Sequence, residues 1–175
     1  MTAPSIRIRR LSALTDGQAQ GLADLLIDCV EGGASVSFMD PLPPGKALVF
    51  WRRVADSAAI GERLLWVADD ASGIVGTVQL VLDQPDNQPH RADVSKMLVH
   101  RTARRQGLGA RLMQAVEAEA RAHGKTLLVL DTASADAERL YARLGWQRCG
   151  VIPGYALLPQ GGFCDTTFFY RELTC

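Results

Sequence analysis

The chain has 175 residues, of which 47% are hydrophobic and 22% are charged, a composition typical of a globular domain and not of a disordered or fibrous chain. Its 19 Lys and Arg balance its 19 Asp and Glu, which argues against nucleic-acid binding through a global basic field. No apolar run approaches the roughly 20 residues that span a bilayer, and the first ten residues hold no apolar signal segment. We therefore expect a cytoplasmic protein that binds neither nucleic acid nor a membrane.

The cysteines and histidines are too few and too scattered for a metal site. The chain has 4 Cys and 3 His, and no two cysteines form a C-x-x-C pair. A zinc site needs closer, repeated ligand spacing. The sequence therefore predicts reduced thiols and no bound metal.

The first half of the chain predicts a strand, two helices and a hairpin. The first helix carries leucines at helical spacing, with Thr15 or Asp16 as its N-cap. The loop after it holds three prolines, yet its Phe38 and Met39 are apolar enough to line a pocket or cover the edge of the core. The predicted elements are strand 5–10, helix 15–30, loop 34–45, helix 46–60 and strands 63–68, 74–82 and 90–100.

The second half predicts a parallel pair of strands within an otherwise antiparallel sheet. A strand, a strongly amphipathic helix and another strand follow one another, and such a unit places the two strands parallel. The predicted elements are helix 107–123, strand 126–131, helix 135–144 and strands 146–152 and 163–171. No composition break or repeat divides the chain, so we expect one mixed-sheet α/β domain over residues 1–175.

The segment between strand 90–100 and helix 107–123 combines glycines with basic residues. Gly107 and Gly109 allow the backbone to approach a ligand closely, and the free N–H groups at a helix start favour an anion. The arginines near these glycines are Arg101, Arg104, Arg105 and Arg111. Together these features predict a phosphate or pyrophosphate site.

Three nucleotide-binding patterns compete for this segment. A Walker P-loop requires GxxxxGK[ST], and no Lys-Ser/Thr pair follows these glycines. A dinucleotide fingerprint requires a small third residue where this chain has Leu112, and a βαβ unit at the chain start. The third pattern, R/Q-x-x-G-x-G/A, is met by residues 104–109.

On these residues the sequence resembles the GNAT superfamily of acetyl-CoA-dependent N-acetyltransferases. The run AERLYARLGW at 137–146 is similar to the family's A-x-x-L-Y-x-x-x-G-[FW] helix, and both motifs occur in the family's order. Residues 32–39, 91–97 and 151–155 are similar to the tabtoxin-resistance branch, which acetylates a β-lactam amino-acid toxin. The resemblance implies acetyl-CoA as co-substrate and the GNAT fold, a mostly antiparallel sheet of about seven strands with a splayed central parallel pair and about four flanking helices.

The resemblance also implies roles for the matching positions. Met97, Leu98 and Val99 would pair with the pantetheine arm, and one of their N–H groups would hold the developing oxyanion. Tyr141 would protonate the departing thiolate. Ser134 stands where the family often has an asparagine that contacts pantetheine. The pyrophosphate would be wrapped by Arg104, Arg105, Gln106, Gly107, Leu108, Gly109 and Ala110.

Two aspartates are candidates to bind the acceptor ammonium and take its proton. Asp93 starts the strand that leads to the glycine motif, and Asp131 ends the next parallel strand, where α/β sites collect functional groups. In the tabtoxin-resistance branch an acidic residue matches each position. The structural alternatives stay open, because Asp131 can cap the following helix and Asp93 can face solvent.

We therefore expect a single-domain enzyme that moves acetyl from acetyl-CoA to a primary amine of a small molecule by direct attack in a ternary complex. Phe38 and Met39 are the candidate lid over the acceptor. The leading acceptor is a β-lactam amino-acid toxin or antibiotic, which acetylation would detoxify, and a metabolic amine is close behind. The apolar segment 167–170 is available to pair across a homodimer. The alternatives are a non-catalytic acetyl-CoA-binding regulatory domain, a protein or peptide N-acetyltransferase and a dinucleotide-binding protein.

Overall fold

The computed structural model describes residues 5–174, which form one seven-stranded sheet with four α-helices. The strands are β1 (Arg7–Leu11), β2 (Arg63–Asp70), β3 (Gly73–Val81), β4 (Arg91–Val99), β5 (Leu127–Thr132), β6 (Gln147–Leu157) and β7 (Phe163–Glu172). The helices are α1 (Asp16–Glu31), α2 (Pro44–Ala59), α3 (Leu108–Ala122) and α4 (Ala135–Arg143), and a short 3₁₀ turn covers Arg101–Ala103.

The strand order is β1-β2-β3-β4-β5-β7-β6, and each neighbouring pair is antiparallel except β4 and β5. That parallel pair is joined only over Arg91–Asp93 of β4 and Leu127–Val129 of β5. Beyond these residues the two strands diverge and leave a cleft in the middle of the sheet. The predicted mixed sheet with a splayed parallel pair is confirmed.

Local capping signals set where the helices begin. Thr15 accepts a hydrogen bond from the backbone N–H of Gln18, and the Gln18 side chain accepts one from the backbone N–H of Thr15, which completes a capping box. Ser134 caps α4 by accepting from the backbone N–H of Ala137. α3 begins without a side-chain cap, because its first flanking residue is Gly107.

A hydrophobic core lies on each face of the sheet. One face packs against Leu112, Met113 and Val116 of α3, and the other packs against α1 and Trp51 of α2. Complete burial of a side chain of this size stabilises the folded state by about 1.5–3 kcal/mol relative to leaving it exposed. α4 buries only Tyr141 completely, so this helix is held by far less apolar area than α1 or α3.

A buried glutamate helps to fix the end of α4. Glu117 of α3 accepts a hydrogen bond from Trp146 Nε1 at 2.9 Å and pairs with Arg171 Nε at 3.3 Å. Trp146 is the residue just before β6, so this contact ties the chain after α4 to α3. The ring of Tyr141 packs against the Trp146 and Phe169 rings at centroid distances of 6.0 and 5.7 Å.

Two expectations about the C-terminal strands are wrong. β6 does not end at 152 but runs to Leu157 through Pro153 and Gly154, with an irregular register. A proline is tolerated there because β6 is an edge strand and needs no N–H on its open side. The segment 167–170 does not pair across a homodimer, because β7 already has β5 on one side and β6 on the other.

Candidate active site

The cleft between the diverging ends of β4 and β5 is the main cavity of the described residues, with a volume of about 1280 Å³. Strand β4, the loop that leads into α3, and helix α4 form its walls. The glycine motif, both candidate aspartates and Tyr141 line this one cavity. The structure therefore brings together groups that lie up to 48 residues apart in the sequence.

A bulge in β4 exposes backbone polar groups to the cleft. The register against β3 shifts by one residue between Ser95 and Leu98, and Lys96 has a φ of 50°. Lys96 and Met97 consequently have no register partner on β3, and β5 pairs only as far as Asp93. Their backbone groups are available to a bound molecule.

The start of α3 offers free N–H groups at one end of the cleft. Gly107 precedes the helix with a φ of 74° and provides no side-chain cap, and Arg105 before it has a φ of 61°. Uncapped N–H groups at a helix start, together with the helix dipole, favour an anion. A Cβ at Gly109 would lie 2.9 Å from Leu140 Cδ2, so this glycine permits the close packing of α3 on α4.

The arginines near the motif do not all face the cleft. Arg101 donates to buried Asp28 at 2.7 Å, and Arg111 donates to the Ile6 carbonyl at 2.9 Å, so both have structural contacts outside it. Arg104 and Arg105 do line the cleft, and Arg104 Nε donates to the Val99 carbonyl at 3.1 Å. Two arginines that the motif did not indicate, Arg139 and Arg143 of α4, line it as well.

The other predicted cofactor positions differ in whether they line the cleft and are free to bind there. Gln106 donates to the Thr102 carbonyl at 3.2 Å and is not part of the cleft wall. Ser134 lines the cleft, but its hydroxyl is engaged in capping α4. The remaining predicted positions all line the cleft: Met97, Leu98, Val99, Gly107, Leu108, Gly109 and Ala110.

Tyr141 projects from α4 into this cavity with its ring almost completely buried. Its side chain is 4% exposed and lies among Trp146 and Phe169. Burial raises the pKa of the Tyr141 phenol far above its usual value, and the negative charge of Asp131 raises it further. The hydroxyl therefore stays protonated at any physiological pH and can donate a hydrogen bond.

The two candidate aspartates have different partners. Asp93 accepts from Arg91 Nη1 at 2.6 Å and from Gln84 Nε2 at 3.1 Å. Asp131 has no side-chain hydrogen bond to another residue within residues 5–174, and its pKa is raised by burial and lowered in part by the charge of Lys96. Asp131 is thus the carboxylate with free acceptor capacity. The Ser134 cap also means that Asp131 is not the N-cap of α4.

A smaller cavity of about 280 Å³ opens beside Asp131. Phe38 and Met39 line it together with Tyr155 and Leu157 of β6. The loop between α1 and α2 is bonded to the turn between β6 and β7, since the backbone N–H of Asp40 donates to the Pro159 carbonyl at 3.0 Å. We refer to this loop and the turn bonded to it as the roof.

The sequence interpretation missed Lys96 as a cleft residue. Strict alternation from Asp93 places position 96 on the α3 face of the sheet, whereas the bulge turns its side chain to the α2 face. There Lys96 Nζ donates to Ser37 Oγ at 3.1 Å and lies 5.9 Å from the centre of the Phe50 ring. A bulge depends on tertiary pairing, so no local sequence signal indicated this position.

The family model described as an acetyltransferase (GNAT) domain matches residues 61–148, half of the chain. An uncharacterized N-acetyltransferase of Azospirillum brasilense, encoded in the hisH–hisA intergenic region, is 33% identical over 130 residues, which are 72% of this chain and 74% of that protein. The chain belongs to the GNAT acetyltransferases. It is accordingly an acetyl-CoA-dependent acetyltransferase.

Solved structures share this GNAT fold at low sequence identity. The acetyltransferase yncA from Salmonella typhimurium, solved with its cofactor acetyl-CoA, has a TM-score of 0.76 and 19% identity, covering 99% of this chain and 96% of that one. A phosphinothricin acetyltransferase from Sinorhizobium meliloti, in complex with acetyl-CoA, has a TM-score of 0.76 and 16% identity, covering 98% and 89%. Both carry acetyl-CoA on the same architecture.

The cleft of this GNAT chain fits acetyl-CoA by its own chemistry. The α3 start and nearby arginines suit the pyrophosphate, and the unpaired backbone of β4 suits the amide-bearing pantetheine arm. Within residues 5–174 no group of three or more His, Cys, Asp or Glu is placed to hold a metal ion. None of the helices described there is long and apolar enough to cross a membrane.

Proposed function

We propose that this GNAT acetyltransferase acetylates a primary amine of a small molecule by direct attack in a ternary complex. The observation that carries the proposal is that one cleft holds both a group able to accept a proton and a group able to donate one. Asp131 is a carboxylate with free acceptor capacity, and Tyr141 is a phenol that remains protonated. An amine acetyl transfer needs one group of each kind.

The residues act in a simple order. Asp131 binds the acceptor ammonium and takes its proton, directly or through one water, so that the amine can attack the thioester carbonyl. A free N–H of Lys96 or Met97 holds the developing oxyanion. As the new C–N bond forms, the attacking nitrogen loses its second proton to solvent. When the C–S bond breaks, Tyr141 donates its proton to the leaving thiolate and is reprotonated from solvent, and Asp131 releases the proton that it took. Acetyl-CoA supplies the activated acetyl group.

Binding of the co-substrate divides between two parts of the cleft wall. Met97, Leu98 and Val99 present their backbone to the pantetheine arm. The pyrophosphate lies at the α3 start, where Arg104 and Arg105 supply charge. Asp93 is a second candidate for acceptor binding, but its bonds to Arg91 and Gln84 leave it less capacity than Asp131.

The acceptor is proposed to be a small molecule because the roof narrows this end of the cleft. Gln160 in the β6–β7 turn reaches the Asp40 carboxylate at 3.5 Å, and Ser35 donates to the Leu157 carbonyl at 3.2 Å. Such cross-links leave less room for a folded protein substrate. A β-lactam amino-acid toxin or an antibiotic is the specific acceptor that the resemblance of residues 32–39, 91–97 and 151–155 supports. The cytoplasmic location stays a prediction.

The experiment is thiol release from acetyl-CoA in the presence of a panel of primary amines. The panel contains amino acids, dipeptides, polyamines, aminoglycosides and a β-lactam amino-acid toxin. Turnover with one class identifies the reaction and the acceptor together, and turnover with peptides alone indicates the peptide acetyltransferase. Absence of thiol release with every amine, while acetyl-CoA still raises the melting temperature, favours the non-catalytic regulatory domain.

We also propose that the chain forms a homodimer through β6. This strand is the last in the sheet, so its outer edge has unpaired backbone groups within the described residues. Apolar side chains on and next to it are exposed: Ile152 by 45%, Tyr155 by 53% and Phe163 by 79%. A second copy of the chain would cover both features, and its test is given in the Discussion.

A further inference from the structure

Lys96 is a charged group in the cleft that acetyl transfer itself does not use. Its residue is half-buried, and burial lowers the pKa of its ammonium despite the nearby charge of Asp131. Burying a lysine costs free energy unless a partner compensates it. Its hydrogen-bond partner within residues 5–174 is a neutral hydroxyl, Ser37 Oγ at 3.1 Å, which leaves two ammonium protons for a bound molecule.

The backbone is strained at both residues of the Lys96–Ser37 hydrogen bond. Lys96 and Ser37 both have a positive φ, 50° and 78°, although neither is a glycine. Such conformations are strained and persist where the surroundings impose them, often at binding sites. Two residues of this kind, on different elements, meet at the same hydrogen bond inside the cleft.

Arg63 and Asp93, two neighbouring charges on this face, have partners of their own. Arg63 donates to Gln79 at 2.8 Å and to Ser57 at 2.9 Å, and Asp93 is paired with Arg91. Lys96 and Asp131 influence each other's pKa, but within residues 5–174 they form no direct ion pair. The acceptor end thus presents one cation and one anion, both with capacity left, on opposite sides of an open space.

The two cavities meet at these groups. Ser37 and Asp131 line both the main cleft and the smaller cavity, whereas Lys96 lines the main cleft alone. Phe38, Met39 and their neighbours from β6 give the smaller cavity an apolar side. Three chemically different subsites therefore converge on one point: an anion, a cation and an apolar space.

We propose that Lys96 is a specificity-determining residue that binds the carboxylate of an amino-acid acceptor. The α-ammonium lies on Asp131, the carboxylate lies on Lys96 with Ser37 beside it, and an apolar side chain occupies the smaller cavity. This inference rests on the proposed acetyl transfer for its purpose, but the binding it describes is independent of the chemical step. It distinguishes amino acids from simple amines, peptide N-termini with blocked carboxylates, and polyamines.

The experiment compares amino acids with their carboxamides, which keep the amine and side chain and lose the charge. Methionine, leucine and phenylalanine are each paired with the corresponding amide, and Kd is measured by equilibrium titration into the protein with CoA. KM and kcat for the same pairs follow from thiol release. We expect the wild-type protein to bind at least one amino acid about ten- to one-hundred-fold more tightly than its amide, the range for a hydrogen bond to a charged group.

Three variants separate a recognition role from other roles. Lys96→Gln removes the charge and is expected to abolish the preference by weakening amino-acid binding while leaving the amide unchanged. Lys96→Arg keeps the charge and is expected to restore part of the preference. Lys46→Gln is the matched control, because Lys46 also lies beside an aromatic ring of this region, 5.8 Å from Phe38, but does not line either cavity.

The outcomes distinguish this inference from the proposed function. Absence of any carboxylate preference in the wild-type protein overturns the inference, and so does a Lys96→Gln loss that is equal for amino acid and amide, which would indicate a base or a structural role. Thiol release without the preference leaves acetyl transfer standing. A Lys96-dependent preference in Kd without any thiol release leaves the recognition standing and removes the reaction.

Discussion

At the scale of single residues, the Tyr141 hydroxyl is the group whose role is most directly testable. Tyr141→Phe removes one oxygen from a ring that is 4% exposed and packed among other rings, so the fold should be retained. If the phenol protonates the thiolate, kcat should fall by roughly ten-fold or more while the Kd of acetyl-CoA stays the same. Stopped-flow or steady-state thiol release and a thermal-shift titration provide the two readouts.

Tyr170→Phe is the matched control for that substitution. Tyr170 lies on β7 outside both cavities, and its hydroxyl donates to Gln147 at 2.7 Å. Loss of this hydroxyl should leave kcat unchanged. An equal fall of kcat in both variants, or no fall in Tyr141→Phe, would contradict the proton-donor role.

The raised pKa of Asp131 predicts that its carboxylate lowers the stability of the fold at neutral pH while it supports activity. A carboxyl whose pKa is raised on folding binds its proton more tightly in the folded state, so its contribution favours folding below the ordinary value of 3.8 and is lost as the pH rises through the raised pKa. At neutral pH the ionised group therefore opposes folding. Asp131→Asn should raise the melting temperature at neutral pH and lower kcat/KM for the amine by roughly ten-fold or more.

The pH dependence and a second variant check this assignment. The gain in melting temperature should shrink as the pH falls toward 3.8, because wild-type Asp131 then becomes neutral as well. Asp93→Asn makes the same chemical change where the carboxylate is paired with Arg91, so it should not stabilise the protein. A melting temperature that rises in neither variant would show that burial of Asp131 carries no cost.

At the scale of elements, the helices were predictable because their signals are local. Thr15 and Gln18 form the box that starts α1, and the leucines of α1 and α3 repeat at helical spacing. The β4 bulge was not predictable in the same way. It exists only because Ser95 and Leu98 pair with residues of β3 that are two positions apart, and it alone brings Lys96 into the cleft.

Two glycines at the same helical position allow a controlled test of the α3 start. Gly17 and Gly109 are each the second residue of a helix, where alanine is intrinsically better by up to about 1 kcal/mol. Gly17→Ala meets no atom within 4 Å and should stabilise the protein. Gly109→Ala places its Cβ 2.9 Å from Leu140, so it should forfeit that gain and shift α4, which carries Tyr141.

The Gly17→Ala and Gly109→Ala variants should also differ in their kinetics. Because α4 buries little apolar area, its displacement is the easiest way to relieve the contact at Leu140, and the cleft wall moves with it. We expect Gly109→Ala to raise the KM for acetyl-CoA by about ten-fold and Gly17→Ala to leave it unchanged, as measured by initial rates and chemical denaturation. Equal stabilisation by both substitutions with normal kinetics would refute the close-packing role.

At the scale of the whole molecule, the candidate site was predictable as a set of residues but not as an assembly. The glycine motif, Tyr141 and the aspartates were named from sequence patterns, and the sheet places them around one cleft. The loop with Phe38 and Met39 was expected as a lid, but its attachment to the β6–β7 turn was not, because that depends on contacts such as the bond between Asp40 and Pro159, 119 positions apart. The position of β7 inside the sheet likewise depends on the strand order, which periodicity does not encode.

The strand order also decides which edge is open to a second copy of the chain. Proteins normally protect a long edge strand with charges or a covering element, whereas β6 spans 11 residues and carries exposed Val151, Ile152 and Leu157. We expect the wild-type protein to sediment with about twice the chain mass of 19.0 kDa at micromolar concentration.

Ile152→Lys puts a charge on this edge and should give the mass of one chain while retaining acetyl-CoA binding. Val49→Lys changes an equally exposed apolar residue of α2, 49% against 45%, and should remain dimeric. A wild-type monomer, or dissociation by both lysines alike, would show that β6 is not the interface.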